Sequence, residues 1–165
     1  AATNRGAKGD AVCSVTNATY KIAELENSVE LFGNGITNYL DLAVARLVDG
    51  YQPTQRPVLA PTKKGMKHEG VTKFGAKTGF TRGKIVSDNY RIAINYDGEN
   101  ALFENQLMIM STVPGQKFSD GGDSGSMVKS VDGGFVGLLF AGNNSQTFAN
   151  PSQRVINKLI EWGYM

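Results

Sequence analysis

FSDGGDSGSMVKSVDGGFVGLLF, residues 118–140, is the stretch on which the reading of this chain turns. At its centre, Gly121-Gly122-Asp123-Ser124-Gly125-Ser126 sets a serine between glycines with an aspartate before it. Such a serine can sit on a tight backbone turn whose N–H groups point into one small space. Donors arranged in this way stabilise a developing oxyanion, usually the largest single contribution in acyl transfer. Glycines suit the turn because side chains would block a substrate and strain the backbone where φ is positive. On its own, the hexapeptide is equally well explained as a β-turn between strands.

Outward from this segment the chain reads as short strands at hairpin spacing. Strands are expected at 70–76, 83–87, 89–96, 101–111, 126–131 and 134–141. Asp97-Gly98 and Asp132-Gly133 are hairpin-turn signals between them. Towards the N-terminus, residues 1–10 read as a loop and 11–16 as a short strand. Residues 20–31 are ambiguous, because Ile22, Leu25 and Val29 fit a helix while a strand pair is also open. Gly33-Asn34-Gly35 marks a turn, and residues 38–48 (NYLDLAVARLV) form an apolar run that encloses Asp41. Pro53, Pro57 and Pro61 mark a connector. Residues 151–161 differ: Pro151 suits a first helical position, and Val155, Leu159 and Trp162 recur at helical spacing before Gly163.

Twenty glycines in 165 residues is nearly twice the usual share of roughly 7%, and they follow no period, which favours many tight turns over collagen. Hydrophobic residues make up 41%, enough for a core, so disorder of the whole chain is not expected. The net charge of +2 is too weak to imply nucleic acid or a membrane surface. One cysteine, Cys13, forms no intrachain disulfide, which points to a reducing, cytoplasmic setting (bacterial, viral or phage-associated). One Cys and one His do not make a Cys/His zinc site, and no P-loop, dinucleotide fingerprint or EF-hand spacing is present, so no cofactor is expected. No apolar run reaches the roughly 20 residues of a membrane span, and residues 1–10 carry no signal-peptide core.

Three motifs in order give a wider context. They are NYLDLAVARL at 38–47, VTKFGAKTGFTRGKI at 71–85, and GGDSGSMV at 121–128 followed by GFVGLLFAG at 134–142. Together they resemble the chymotrypsin-like serine peptidases, particularly bacterial and viral members without disulfides. The resemblance covers most of residues 38–160, and the 83 positions from Asp41 to Ser124 suit a compact member. It implies an all-β fold of two barrels with a C-terminal helix, the first barrel being incomplete in this chain. The expected layout is 1–50 for the rest of the first barrel, 51–69 for the connector, 70–150 for the second barrel and 151–165 for the helix. It implies Ser124 as nucleophile, the Gly122 and Ser124 N–H groups as oxyanion hole, and Asp41 as the partner of a histidine. Asp123 and Gly125 would support the loop. Residues Phe118, Asp120, Phe140 and Gly142 would lie near the specificity pocket, although core packing is the stronger expectation for both phenylalanines. Asp120 could invite a basic side chain.

The histidine departs from this pattern. The family order is His, Asp, Ser, yet no histidine precedes Asp41, and the single one, His68, follows it in GMKHEG. A lone histidine in a Lys-rich loop is usually solvated. The resemblance therefore implies a companion N-terminal fragment of the same precursor that carries the histidine and closes the first barrel. AATNRGAKGDAV, at the start of the chain, is similar to the family loop just after that histidine, so a cut there, autocatalytic or not, is expected. The substrate would be a polypeptide, with neither nucleic acid nor membrane as partner. The rival readings are an inactive peptidase-fold module that binds peptides, and a viral structural protein on the same fold.

Two further features have plain explanations. Lys63, Lys64, Lys67, Lys73, Lys77, Arg82 and Lys84, with Glu69 as their one acid, are expected to form a solvated face rather than a binding patch. Asn17-Ala18-Thr19 and Asn143-Asn144-Ser145 match the glycosylation pattern by chance.

Overall fold

The computed structural model describes residues 6–14, 18–53 and 60–165. The end of the expected strand 11–16, Asn17 of the first glycosylation match, Pro57 of the connector and the opening residues of the AATNR loop lie outside the described residues.

Among the described residues the chain forms two sheets and one helix. The smaller sheet joins β1 (Ala11–Cys13), β2 (Lys21–Ser28) and β4 (Ala43–Leu47) in the antiparallel order β1-β2-β4. Within the ambiguous segment 20–31, Lys21–Ser28 is thus a single strand. Its register shifts between Leu25 and Asn27, and such a bulge breaks strict alternation, which is why its apolar spacing imitates a helix.

The larger sheet contains β5 (Gly70–Gly75), β6 (Gly79–Tyr96), β7 (Glu99–Ser111), β8 (Met127–Ser130), β9 (Phe135–Gly142) and β10 (Thr147–Pro151). They run in the order β10-β9-β8-β5-β6-β7, and β10 pairs back on β7, so the sheet closes into a barrel. The closure is short, with Thr147, Phe148 and Ala149 opposite Ile109, Met108 and Leu107. The two expected strands at 83–87 and 89–96 are one long strand, β6, interrupted by register shifts between Ile85 and Ser87, Ser87 and Tyr90, and Tyr90 and Ile92. At its end Asp97 (φ 51°) and Gly98 (φ 95°) are both left-handed, as a two-residue hairpin turn with right-handed strand twist requires.

The apolar run 38–48 is divided. β3 (Thr37–Asn38) runs parallel to β7, whereas β4 belongs to the other sheet, so residues 39–42 cross between the two. Asn38 fixes the departure: its side chain accepts from Phe32 N–H (2.8 Å) and donates to the Phe32 (2.7 Å) and Leu102 (3.1 Å) carbonyls.

The barrel interior is apolar, built around Val71, Ile85, Leu107, Ile109, Val128 and Val136, all at most 2% exposed. Helix α1 (Ser152–Glu161) follows β10 directly, with Pro151 as its cap and Gly163 (φ 79°) just beyond its end. Its Val155 and Ile156 pack on Leu40, Leu42 and Phe135, which ties the crossing segment to the outside of the barrel. No helix among the described residues is long and apolar enough to cross a membrane.

Candidate active site

The loop between β7 and β8 is organised around one buried carboxylate. Asp123 is fully buried and accepts from Lys77 N–H (2.8 Å), Thr78 N–H (3.1 Å), the Thr78 hydroxyl (2.6 Å) and Asp120 N–H (3.0 Å). The ammonium of Lys73 lies 3.3 Å away, and both side chains are shut off from solvent. Burial alone would raise the Asp123 carboxyl, but these donors outweigh it and hold the group far below the usual carboxylate range. Gly75 leaves room for this arrangement, since a Cβ there would lie 2.3 Å from Asp123 Oδ1. Lys73 thus departs from the solvated face expected of its basic run. Its cation has a buried partner fifty positions along the chain, which local composition does not reveal.

With Asp123 turned inward, the next residue is carried outward. Ser124 is exposed, and its hydroxyl faces the Phe140 carbonyl at 3.4 Å. Most amides around it are used. Asp120 N–H and Gly121 N–H donate to carboxylates, Asp123 N–H to Asp120 O, Gly125 N–H to Leu139 O and Ser126 N–H to Asp123 O. Gly122 N–H and Ser124 N–H have no acceptor among the described residues. Gly122 adopts φ 105° and Gly125 φ 86°, values at which a side chain would be strained. These two amides, without partners among the described residues, are the pair that the sequence resemblance implies for an oxyanion hole.

Asp41 lies in the crossing segment between buried Leu40 and Leu42. Asn150, itself fully buried, grips its backbone by accepting from Asp41 N–H (3.0 Å) and donating to Asp41 O (2.7 Å). The Asp41 carboxylate receives the Tyr96 hydroxyl at 2.8 Å. Asn150 pairs with Leu138 on β9, two residues from the carbonyl that Ser124 faces. Asp41 and Ser124 are therefore both anchored to one short length of β9. Neither Tyr96 nor Asn150 stood out in the sequence. A tyrosine before Asp-Gly reads as hairpin, and an asparagine before Pro151 reads as a helix boundary.

Ser124 lines two depressions. The smaller, of about 80 Å³, is bounded by Ser119, Asp120, Leu139, Ala141 and Gly142. The larger, about 720 Å³, is bounded by Thr72, Phe74, Phe80, Gly122 and Met127. Phe118 and Phe140 line neither. Both are buried, Phe118 in the barrel interior and Phe140 against Phe103 and Phe148. His68 also lines neither. It is an exposed turn residue at φ 74° whose N–H donates to Ile85 O (2.7 Å).

Two of the nearby charges have local partners. Lys63 pairs with Glu69 (2.8 Å) and Asp132 (3.1 Å). The Asp120 carboxyl is held below its usual range by Gly121 N–H and then by Lys117 at 3.2 Å. No cluster of His, Cys, Asp and Glu suited to a metal ion occurs among the described residues.

No family model matches the chain, and no curated protein matches it. Solved structures do. Chymotrypsin from Cellulomonas bogoriensis superposes with a TM-score of 0.64 at 19% identity, over 98% of this chain and 81% of its own. Protease A of Thermobifida fusca gives 0.66 at 17% identity, over 98% and 80%. The MamO protease domain of Magnetospirillum magneticum gives 0.56 at 14% identity, over 83% and 74%. At these identities the likeness is one of fold, and the fold is that of the chymotrypsin-like serine proteases.

Proposed function

We propose that this chymotrypsin-like fold carries a serine endopeptidase, completed by an N-terminal segment outside residues 1–165 that bears the catalytic histidine. The observation that carries the reading is the 120–126 loop, where a buried carboxylate exposes Ser124 beside two amides with no acceptor among the described residues. Ser124 Oγ attacks the peptide carbonyl carbon while its proton passes to the imidazole of that histidine. The carbonyl oxygen becomes an oxyanion and takes hydrogen bonds from Gly122 and Ser124 N–H. The C–N bond then breaks, the imidazolium proton leaves with the amine, and an acyl-enzyme remains. Water repeats the sequence, returning the proton to Ser124 and releasing the acid. Asp41 holds the imidazole in its working tautomer and balances its positive charge.

The test is a fluorophosphonate reaction on the protein purified with whatever remains bound to it. An adduct on Ser124, absent from Ser124→Ala, together with loss of peptide hydrolysis by several orders of magnitude in that variant, is expected. Hydrolysis that survives in Ser124→Ala would refute the reading, and an unmodified Ser124 would favour a peptide-binding module.

A further inference from the structure

Alternation along β5, β6 and β8 sends one set of side chains into the barrel and the other outward. Val71, Ile85 and Val128 fill the interior, so Thr72, Arg82 and Lys129 face out. Register puts these three on one rung, because Thr72 pairs with Arg82 on one side and with Lys129 on the other. The next rung in one direction carries the directly opposed Phe74 and Phe80, which are 74% and 57% exposed. In the other direction Gly70 stands opposite Lys84. The outer face therefore presents an aromatic pair, then two cations, then a third, in steps of about 7 Å.

Neither half of this face is answered from within the chain. Two phenylalanines side by side on neighbouring strands differ from the single scattered exposures of ordinary surfaces. Arg82, Lys84 and Lys129 form no ion pair among the described residues. The acids that border these strands in sequence are engaged elsewhere: Glu69 and Asp132 meet Lys63, and Asp88 accepts from Lys67 N–H. The Arg82 guanidinium lies 5.6 Å from the centre of the Phe80 ring, which keeps cation and aromatic together. Lys129 reaches the face from β8, so the basic run of the sequence does not contain the whole group. The face also opens on the nucleophile loop, since Thr72, Phe74, Phe80 and Lys129 border the larger depression that Ser124 lines.

We infer that this outer face docks an extended acidic segment of the polypeptide substrate, with a large apolar residue at the end towards Ser124 and carboxylates two and four positions beyond it. Alternate side chains of an extended segment share one side at the same step of about 7 Å, so such a pattern meets the aromatic pair and then the two cationic rungs. Three cations interleaved with apolar side chains suit a peptide better than a phosphate backbone, which asks for a continuous basic track. That the segment belongs to a substrate rests on the peptidase reading, whereas the docking itself does not. The test titrates the native protein, as its Ser124→Ala variant so that peptides stay intact, with Phe-Ser-Glu-Ser-Glu, Phe-Ser-Lys-Ser-Lys and Ser-Ser-Glu-Ser-Glu, and follows backbone amide resonances. The first peptide should bind tightest, shift the amides of β5, β6 and β8, and weaken as salt is raised. Arg82→Gln combined with Lys84→Gln should weaken it about fivefold. Equal or tighter binding of either other peptide, an unchanged affinity in the double variant, or tighter binding of an oligouridylate to the same amides would overturn the inference. Fluorophosphonate labelling of Ser124 in the unsubstituted protein separates the two readings. Binding of the acidic peptide without labelling would sustain the docking face while the peptidase reading fails, and labelling without that binding would overturn the docking face alone.

Discussion

Asp123 has every donor it needs, and the Thr78 hydroxyl, at 2.6 Å from Oδ2, is the one that a near-isosteric change removes. A hydrogen bond to an ionised group contributes about 1.5–3 kcal/mol, so Thr78→Val should lower unfolding free energy by that much at pH 7. The sign of the pH dependence follows from the depressed carboxyl. Its stabilisation is present in full above the unfolded value of about 3.9 and is lost as pH falls below it. The unfolded carboxyl titrates alike in wild type and Thr78→Val, so in urea titrations the gap between them should hold from pH 7 to pH 4, while both lose stability below pH 4. A gap absent at pH 7 would mean that the hydroxyl does not act through Asp123. Tyr96 offers a second contact, 2.8 Å from Asp41 Oδ2, and its ring is held edge-on to Phe103 at 6.3 Å. If Asp41 orients the base, Tyr96→Phe loses about 1.4 kcal/mol of that orientation, or tenfold in kcat, with KM unchanged. A fall in thermal midpoint with kcat intact would give Tyr96 a role in packing alone.

At the level of elements, β10 decides how the site is held. It closes the barrel on β7, leads into the helix, and through Asn150 grips the backbone of Asp41. Asn150→Leu strips partners from Asp41 N–H and O and leaves them near the core. A loss of about 2–4 kcal/mol is expected from two such groups, together with loss of fluorophosphonate labelling. Unchanged stability in chemical denaturation would show that the crossing segment is held by the packing of Leu40 and Leu42 instead. This strand also has no local signal in the sequence. Thr147–Pro151 is short and has an asparagine at its fourth position, and its burial comes from β9 and β7 on either side, which no local pattern records. The hairpins were legible because Asp97-Gly98 and Asp132-Gly133 are local signals. The sequence of β6 looks like two strands because its bulges shift the period-two alternation. The site divides in the same way. The 121–126 loop announces itself in consecutive residues, whereas the Lys73–Asp123 and Tyr96–Asp41 contacts join positions fifty and more apart.

Among the described residues, a closed barrel stands beside an open three-stranded sheet, with Ser124 on the barrel and Asp41 on the segment that crosses between them. This asymmetry bears on the source of the base. The single histidine, His68, follows the crossing segment in the chain and sits in a turn paired to β6 through its backbone. Its imidazole lines neither depression at Ser124. A histidine supplied from elsewhere therefore predicts that His68→Asn leaves turnover and fluorophosphonate labelling within twofold of wild type. Asparagine is the fitting replacement, because position 68 has φ 74° and asparagine tolerates the left-handed region better than most residues. Any loss thus reports on the imidazole and not on a strained turn. The complementary expectation concerns residues 1–165 produced alone. Labelling of Ser124 should be slow there and rise on addition of free imidazole, which can accept the hydroxyl proton in place of the missing side chain. A loss of a hundredfold or more in His68→Asn, with the thermal midpoint unchanged, would place the base on His68 and remove the need for any histidine from outside this chain.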